Sequence, residues 1–151
     1  MTNSDPKPKI FSIGHSNRTF DEFVGILTHY GIETLADIRS YPHSGRNPHF
    51  DKERLEKELP PLGIEYIWIK KLGGMRKEGY GEYMKTDGFS EGLGELESKA
   101  KGKKTAFMCS ELSWRNCHRS FVARALHSRG REVVHIHNID EAEIHSVLPG
   151  L

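Results

Sequence analysis

The sequence predicts an α/β fold: a three-layer sandwich with a mostly parallel sheet of about five strands flanked by helices. Three observations carry this. Short apolar runs alternate with amphipathic ones in a strand–helix rhythm. The apolar runs are mostly continuous, as strands buried on both faces require. The chain has 151 residues, 36% hydrophobic and 28% charged, which suits one soluble globular domain. Residues 1–9 read as a flexible polar tail and residues 10–151 as a single α/β domain.

Taken in order, Ile10 to Ile13 is a buried strand closed by Gly14. After the loop GHSNRT, a helix is expected from about Thr19 to Tyr30, with Phe20, Phe23, Val24 and Leu27 on one face. Thr19 and Glu22 have the form of a capping box, and Gly31 is a natural stop. Thr34 to Ile38 is the second strand, and the Pro-, Gly- and Asn-rich RSYPHSGRNPHF is irregular. A charged helix from Asp51 to Leu59 stops at Pro60 and Pro61. Ile64 to Ile69 is the third strand, followed by a long glycine-rich loop that suits a lid.

Phe89, Leu93, Leu96 and Ala100 mark a third helix, weakened by Gly92 and Gly94. Thr105 to Met108 is the fourth strand, and Cys109 to Asn116 a loop. A fourth helix opens at Cys117 with Asn116 as its N-cap, carries Val122, Ala125, Leu126 and Arg129 on one face, and ends at Gly130. Val133 to Ile136 is the fifth strand, and the final DEAEIHSVLPGL is expected to add a short helix.

The net charge of +1 gives no global argument for a nucleic-acid or membrane surface. No apolar run approaches the ~20 residues needed to span a bilayer, and the polar N-terminus lacks a signal peptide's apolar core. Two cysteines do not make a disulfide scaffold, so reduced thiols and a cytoplasmic setting are expected. No cofactor and no membrane partner is called for, and oligomeric state is left open.

In a parallel sheet the loops after the strands meet on one edge, where ligands bind at the switch point. Those loops gather His15, Arg18, Arg39, His43, Arg46, Arg115, His118 and Arg119, so a nearly neutral chain collects cations there. Helix N-termini add free N–H groups. The expected ligand is an anionic small molecule or a nucleic acid.

Cys109 follows an apolar strand and precedes a helix, a setting that lowers a thiol pKa and makes a nucleophile. The plain alternative is a small core residue. Arg115 gives a C-x5-R spacing, but the intervening residues hold no glycine to wrap a phosphate, and Glu111 would repel one. Glu111 and His15 are the acid–base candidates. Arg39, Arg46, Arg115, Cys117, His118, Arg119 and Ser16 are assigned to the anion. Asp37 supports Arg39, and Tyr83 lies beyond the glycine-rich loop as a supporting group. Zinc on Cys109, Cys117, His118 and His15 lacks the tight C-x2-C spacing of structural sites, so no metal is assigned. A Cys109–Cys117 redox pair is a further alternative.

Five separated blocks, IGHSNRTFDEF, LADIRSYPHSGRNPHF, GIEYIWIKKLGG, YMKT and MCSEL…CHRSFVARAL…GREVVHI, resemble the "domain of unknown function 488" family from about Ile10 to Ile136. The resemblance implies a three-layer α/β fold with these motifs clustered, and it brings no established reaction. The family's C-x-E…C-H-R falls on Cys109, Glu111, Cys117, His118 and Arg119. Its G-H-S falls on Gly14, His15 and Ser16, and its D-x-R on Asp37 and Arg39. A more distant likeness is to rhodanese and cysteine-phosphatase domains, from which the longer, glycine-free loop after Cys109 departs. The leading expectation is an enzyme acting on an anionic, phosphate-bearing or nucleic-acid-related substrate, as a cysteine-dependent hydrolase or transferase. The alternatives are a non-catalytic nucleic-acid or protein binding module, and a metal or redox thiol site.

Overall fold

A computed structural model of the chain describes residues 8–146. Within them, six strands form one sheet in the order β3-β2-β4-β1-β5-β6. They are β1 (Ile10–Gly14), β2 (Thr34–Asp37), β3 (Glu65–Trp68), β4 (Thr105–Cys109), β5 (Val133–Asn138) and β6 (Glu141–Ile144). The first five are parallel, and β6 returns antiparallel on β5. The helices are α1 (Phe20–His29), α2 (Lys52–Glu58), α3 (Tyr80–Tyr83), α4 (Asp87–Gly102) and α5 (Arg119–Ser128).

Alternate residues of each strand feed two cores, as the twofold period of a strand dictates. Phe11, Ile13, Leu35, Ala106, Met108 and Ile136 meet Phe23 and Leu27 of α1 and Leu55 of α2. Ile10, Ala36, Phe107 and Val133 meet Leu93 and Leu96 of α4 and Val122 and Leu126 of α5. This is the three-layer sandwich. The capping box on α1 is present, with Thr19 Oγ1 accepting from Glu22 N–H and Glu22 reaching back to Thr19 N–H.

Four expectations are corrected. The sheet has six strands rather than about five, because Glu141–Ile144 forms β6 instead of a helix. In EAEI the short polar–apolar alternation suits an exposed edge strand. Residues 147–151 of that segment, and residues 1–7 of the tail, lie outside the described residues. Cys109 closes β4 rather than opening the loop. The helix after it starts at Arg119 with His118 at its N-cap, while Asn116 sits in a 3₁₀ turn, Trp114–Asn116.

The glycine-rich loop is also more ordered than a free lid. It contains a 3₁₀ turn (Lys70–Leu72) and α3. The buried Tyr80 and Tyr83 donate to Leu72 O and Lys71 O, at 2.9 and 2.6 Å.

Candidate active site

The site forms where β1 and β4 lie side by side. Gly14 is in register with Cys109. The chain leaves β1 toward α1 on one face and β4 toward α5 on the other. Diverging connections of this kind open a crevice at the carboxyl ends of parallel strands. The crossing is tight: a Cβ on Gly14 would lie 1.7 Å from Glu111 O. Beyond the strands, His15 N–H donates to Cys109 O and Ser16 N–H to Ser110 O, which pins both loops together.

Cys109 is buried at this junction and paired with Cys117 as a disulfide, their Cα atoms 7.6 Å apart. Under it lies Arg119, 1% exposed. Its Nε donates to Cys109 Sγ at 3.1 Å, and its Nη2 to Glu111 O and Leu112 O at 2.7 and 3.1 Å. No carboxylate pairs with it among the described residues. Burial, followed by the charge of Arg18, pushes its pKa down to about 10, with Glu111 opposing, so it stays charged at neutral pH. Such a buried cation calls for a countercharge. Once the disulfide is reduced, the Cys109 sulfur is the one atom hydrogen-bonded to it that can carry a full negative charge.

Arg119 also heads a buried polar chain. Its Nη1 donates to Ser12 Oγ at 3.2 Å; Ser12 Oγ meets His135 Nδ1 at 2.5 Å, and His135 Nε2 meets His145 Nδ1 at 3.0 Å. Arginine only donates, so Ser12 Oγ accepts from Arg119. The hydroxyl's second contact is with His135 Nδ1, and His135 Nε2 shares one proton with His145 Nδ1. Trp114 stacks on His135 at 4.0 Å and 3°. Burial first, then the charges of His145 and Arg119, push His135 down to about 3.

A second buried network adjoins. Asp37 takes Arg39 Nε and Nη2 at 2.8 and 2.6 Å and the Tyr66 hydroxyl at 2.5 Å, while Arg39 Nη2 also donates to Phe50 O. His15 stacks on Phe50 at 4.5 Å, and its Nδ1–H is satisfied by Ser16 O at 2.8 Å. Its Nε2 then accepts from Arg39 Nη1 at 3.4 Å. Burial chiefly, with help from Arg39 and against the Ser16 bond, lowers His15 to about 4. His15 is thus a neutral brace for Arg39 with its lone pair in use.

Above these networks is a cavity of ≈ 350 Å³ whose walls include Arg39, Tyr41, Cys109, Glu111, Cys117 and His118. His118 donates from Nε2 to Ile38 O at 2.7 Å, which leaves Nδ1 unprotonated and 3.5 Å from Cys117 Sγ. Burial lowers its pKa. His118 is therefore the basic nitrogen on this wall. Gly74 closes the cavity against His118, where a Cβ would lie 2.7 Å from Nδ1.

The remaining candidates lie apart. Arg46 is exposed and outside the lining. Arg115 pairs with Glu143 of β6 at 3.0 Å and stacks on Trp114, which takes it away from the C-x5-R arrangement. Ser16 turns through a positive φ of 51° and contributes its backbone. Tyr83 braces the 3₁₀ turn after β3. Ser12, His135, His145 and Tyr66 are the participants that sequence reasoning missed. Their one signal was polarity inside otherwise apolar strands, as in VVHIH. Among the described residues no group of three or more His, Cys, Asp or Glu comes together as a metal-holding set. No described helix is long and apolar enough to cross a membrane.

A family model described as "Domain of unknown function DUF488" matches residues 19–126, which takes in α1, the Asp37–Arg39 pair, both cysteines and Arg119. No curated protein and no solved structure matches the chain.

Proposed function

The chain belongs to the DUF488 family, and from that premise we propose that it is a thiol-dependent enzyme acting on an anionic substrate held over the Cys109–Cys117 pair. The observation that carries this reading is the buried Arg119, without a carboxylate partner and with Nε 3.1 Å from Cys109 Sγ. A fixed cation at that distance favours the thiolate over the thiol. In the reduced protein Cys109 is the nucleophile. Its Sγ forms a bond to the electrophilic atom as the bond to the leaving group breaks, and the leaving group departs with the electron pair. His118 Nδ1 is the base available to a water that would then release the adduct, and Glu111 is the other proton-transfer group on the wall. Arg39 lines the same cavity, its guanidinium held in place by Asp37.

The disulfide is the closed form of this centre. Two equivalents of an external thiol open it, yielding one external disulfide and two free cysteines. The test is alkylation of the reduced protein by iodoacetamide across pH, read at Cys109 by mass spectrometry. The expected midpoint lies clearly below ~8.5, the value of a free thiol. A midpoint at or above that value refutes the thiolate.

One observation favours a second reading, thiol–disulfide exchange. Cys117 is the less buried of the pair and lies 3.5 Å from both the Arg119 N–H and His118 Nδ1. Cys117→Ser separates the two: adduct formation at Cys109 survives under the first reading, whereas exchange requires both sulfurs.

A further inference from the structure

The thiol cavity adjoins a larger one that the chemistry above does not use. This neighbour measures ≈ 460 Å³ and shares Ser40, Tyr41, His43 and Met75 with it. Tyr41 and Met75, on the shared wall, are 69% and 70% exposed. The two hollows are therefore halves of one groove, and a ligand longer than the thiol cavity extends into the second half.

That half has a fixed aromatic floor. Trp68 closes β3, and its Nε1 donates to Arg39 O at 2.8 Å, so the indole cannot swing away. The same Arg39 also lines the thiol half. Cations surround the indole: Lys52 and Lys70 each hold Nζ 5.9 Å from its centroid. Arg76 is steadied by Gly73 O and Lys70 O and lies over the Tyr83 ring at 3.7 Å. Glu53 is the one carboxylate on this wall. Lys52 is shared with Glu56 at 3.0 Å, whereas Lys70 has no carboxylate partner among the described residues. Cations beside a held aromatic face, Lys70 among them without a carboxylate partner in the described residues, match a ligand that is planar at one point and doubly charged nearby.

We propose that this half-groove is a subsite for a nucleotide, its base on Trp68 and its phosphate among Lys52, Lys70 and Arg76, with the reacting end directed at Cys109. The assignment rests on the thiol-enzyme reading only for that last clause; the subsite itself needs no thiol.

The test therefore uses the Cys109→Ser protein, in which the proposed nucleophile is absent. Calorimetric titration at low salt compares AMP, adenosine, ribose 5-phosphate and a short single-stranded oligonucleotide. AMP is expected to bind about tenfold more tightly than either adenosine or ribose 5-phosphate, since base and phosphate each contribute. Lys70→Glu, at an exposed position with no role in the core, is expected to weaken AMP at least about tenfold. Trp68→Leu is expected to remove the advantage of AMP over ribose 5-phosphate. An oligonucleotide that binds more tightly than AMP and shares the Lys70 dependence makes a polynucleotide the source of the same chemistry. The proposal is overturned if neither AMP nor the oligonucleotide binds, if Lys70→Glu leaves binding unchanged, or if AMP binds no better than ribose 5-phosphate. None of these outcomes depends on the Cys109 alkylation midpoint, so the two readings fail separately.

Discussion

Arg119 Nε stands 3.1 Å from Cys109 Sγ, and this contact joins the most buried cation among the described residues to the sulfur at the end of β4. Its removal gives the first prediction. Arg119→Met keeps much of the volume and takes away the charge. The alkylation midpoint of Cys109 should rise by at least about one pH unit, and the rate at pH 7 should fall roughly tenfold. Arg119→Lys, which keeps a charge but not the forked geometry, should fall between the two. Mass-resolved alkylation kinetics on the reduced proteins read both. An unchanged midpoint in Arg119→Met would show that the guanidinium serves only the 110–113 loop.

Ser12 links Arg119 to His135, accepting from the first and hydrogen-bonded to the second. Ser12→Ala leaves two buried polar groups without their partner, at a cost of ~1–3 kcal/mol for each group left unsatisfied. Urea unfolding under reducing conditions should show a loss in that range. Because the link also fixes where Arg119 points, the Cys109 midpoint should move upward as well. A substitution that only loosened the core would lower stability and leave the midpoint alone.

The buried histidines set a pH dependence. His15 lies near 4 in the folded protein, against 6.5 when unfolded. Between those values the unfolded chain binds the extra proton, so stability rises with pH across that window. Above about 6.5 the contribution is complete; it falls as the pH drops toward 4 and is flat below. The gap is worth roughly 3 kcal/mol for His15, and His135, held near 3 by burial first, acts in the same direction. Chemical denaturation of the reduced protein at pH 7.5, 6, 5 and 4 should show a falling midpoint. His15→Phe, which preserves the stack on Phe50, should flatten part of that slope.

The fold was largely legible because its elements announce themselves locally. Thr19 and Glu22 mark a helix start, Pro60 ends a helix, and the run Thr105 to Met108 reads as a buried strand. The edge strand β6 was not, because four residues of weak alternation carry little signal without the partner strand that stabilises them. Cys109, Glu111, Cys117 and His118 lie on one stretch from the end of β4 to the start of α5, and Arg39 and Gly74 join them at one cavity because the loops after parallel strands share an edge. The direction in which a side chain points was not legible. Arg115 and Arg119 look alike in sequence, yet one lies on β6 with Glu143 and the other lies under the thiol. Ser12 and His135 are separated by 123 positions and meet only because β1 and β5 are neighbours.

Among the described residues, Asp37 is the only carboxylate bonded to the buried Arg39. Asp37→Asn strands that guanidinium in the interior, and the expected loss is ~3–5 kcal/mol. Tyr66→Phe removes a hydroxyl from the same carboxylate and should cost less, about 1–2 kcal/mol. Thermal unfolding of the two variants checks the order, and equal losses would mean that Asp37 is held mainly by Tyr66.

Gly14 and Gly25 offer the sharpest contrast. Gly25 lies inside α1, and a Cβ there would meet nothing within 4 Å. Gly25→Ala should stabilise by about 0.5–1 kcal/mol, because alanine loses less freedom in a helix interior. A Cβ on Gly14 would lie 1.7 Å from Glu111 O and 3.0 Å from Arg119 Nη2. Backbone must move to admit it, and the part that moves carries the carbonyls that hold Arg119. Gly14→Ala should therefore cost at least ~3 kcal/mol, beyond ordinary overpacking because the obstacle is main chain rather than a side chain. It should also raise the Cys109 alkylation midpoint, because Arg119 would lose Glu111 O as an anchor. Urea midpoints and alkylation profiles on the two alanine variants test both claims. A Gly14→Ala protein with unchanged stability would mean that the 110–113 loop is free to retreat, and that the thiol does not depend on this crossing.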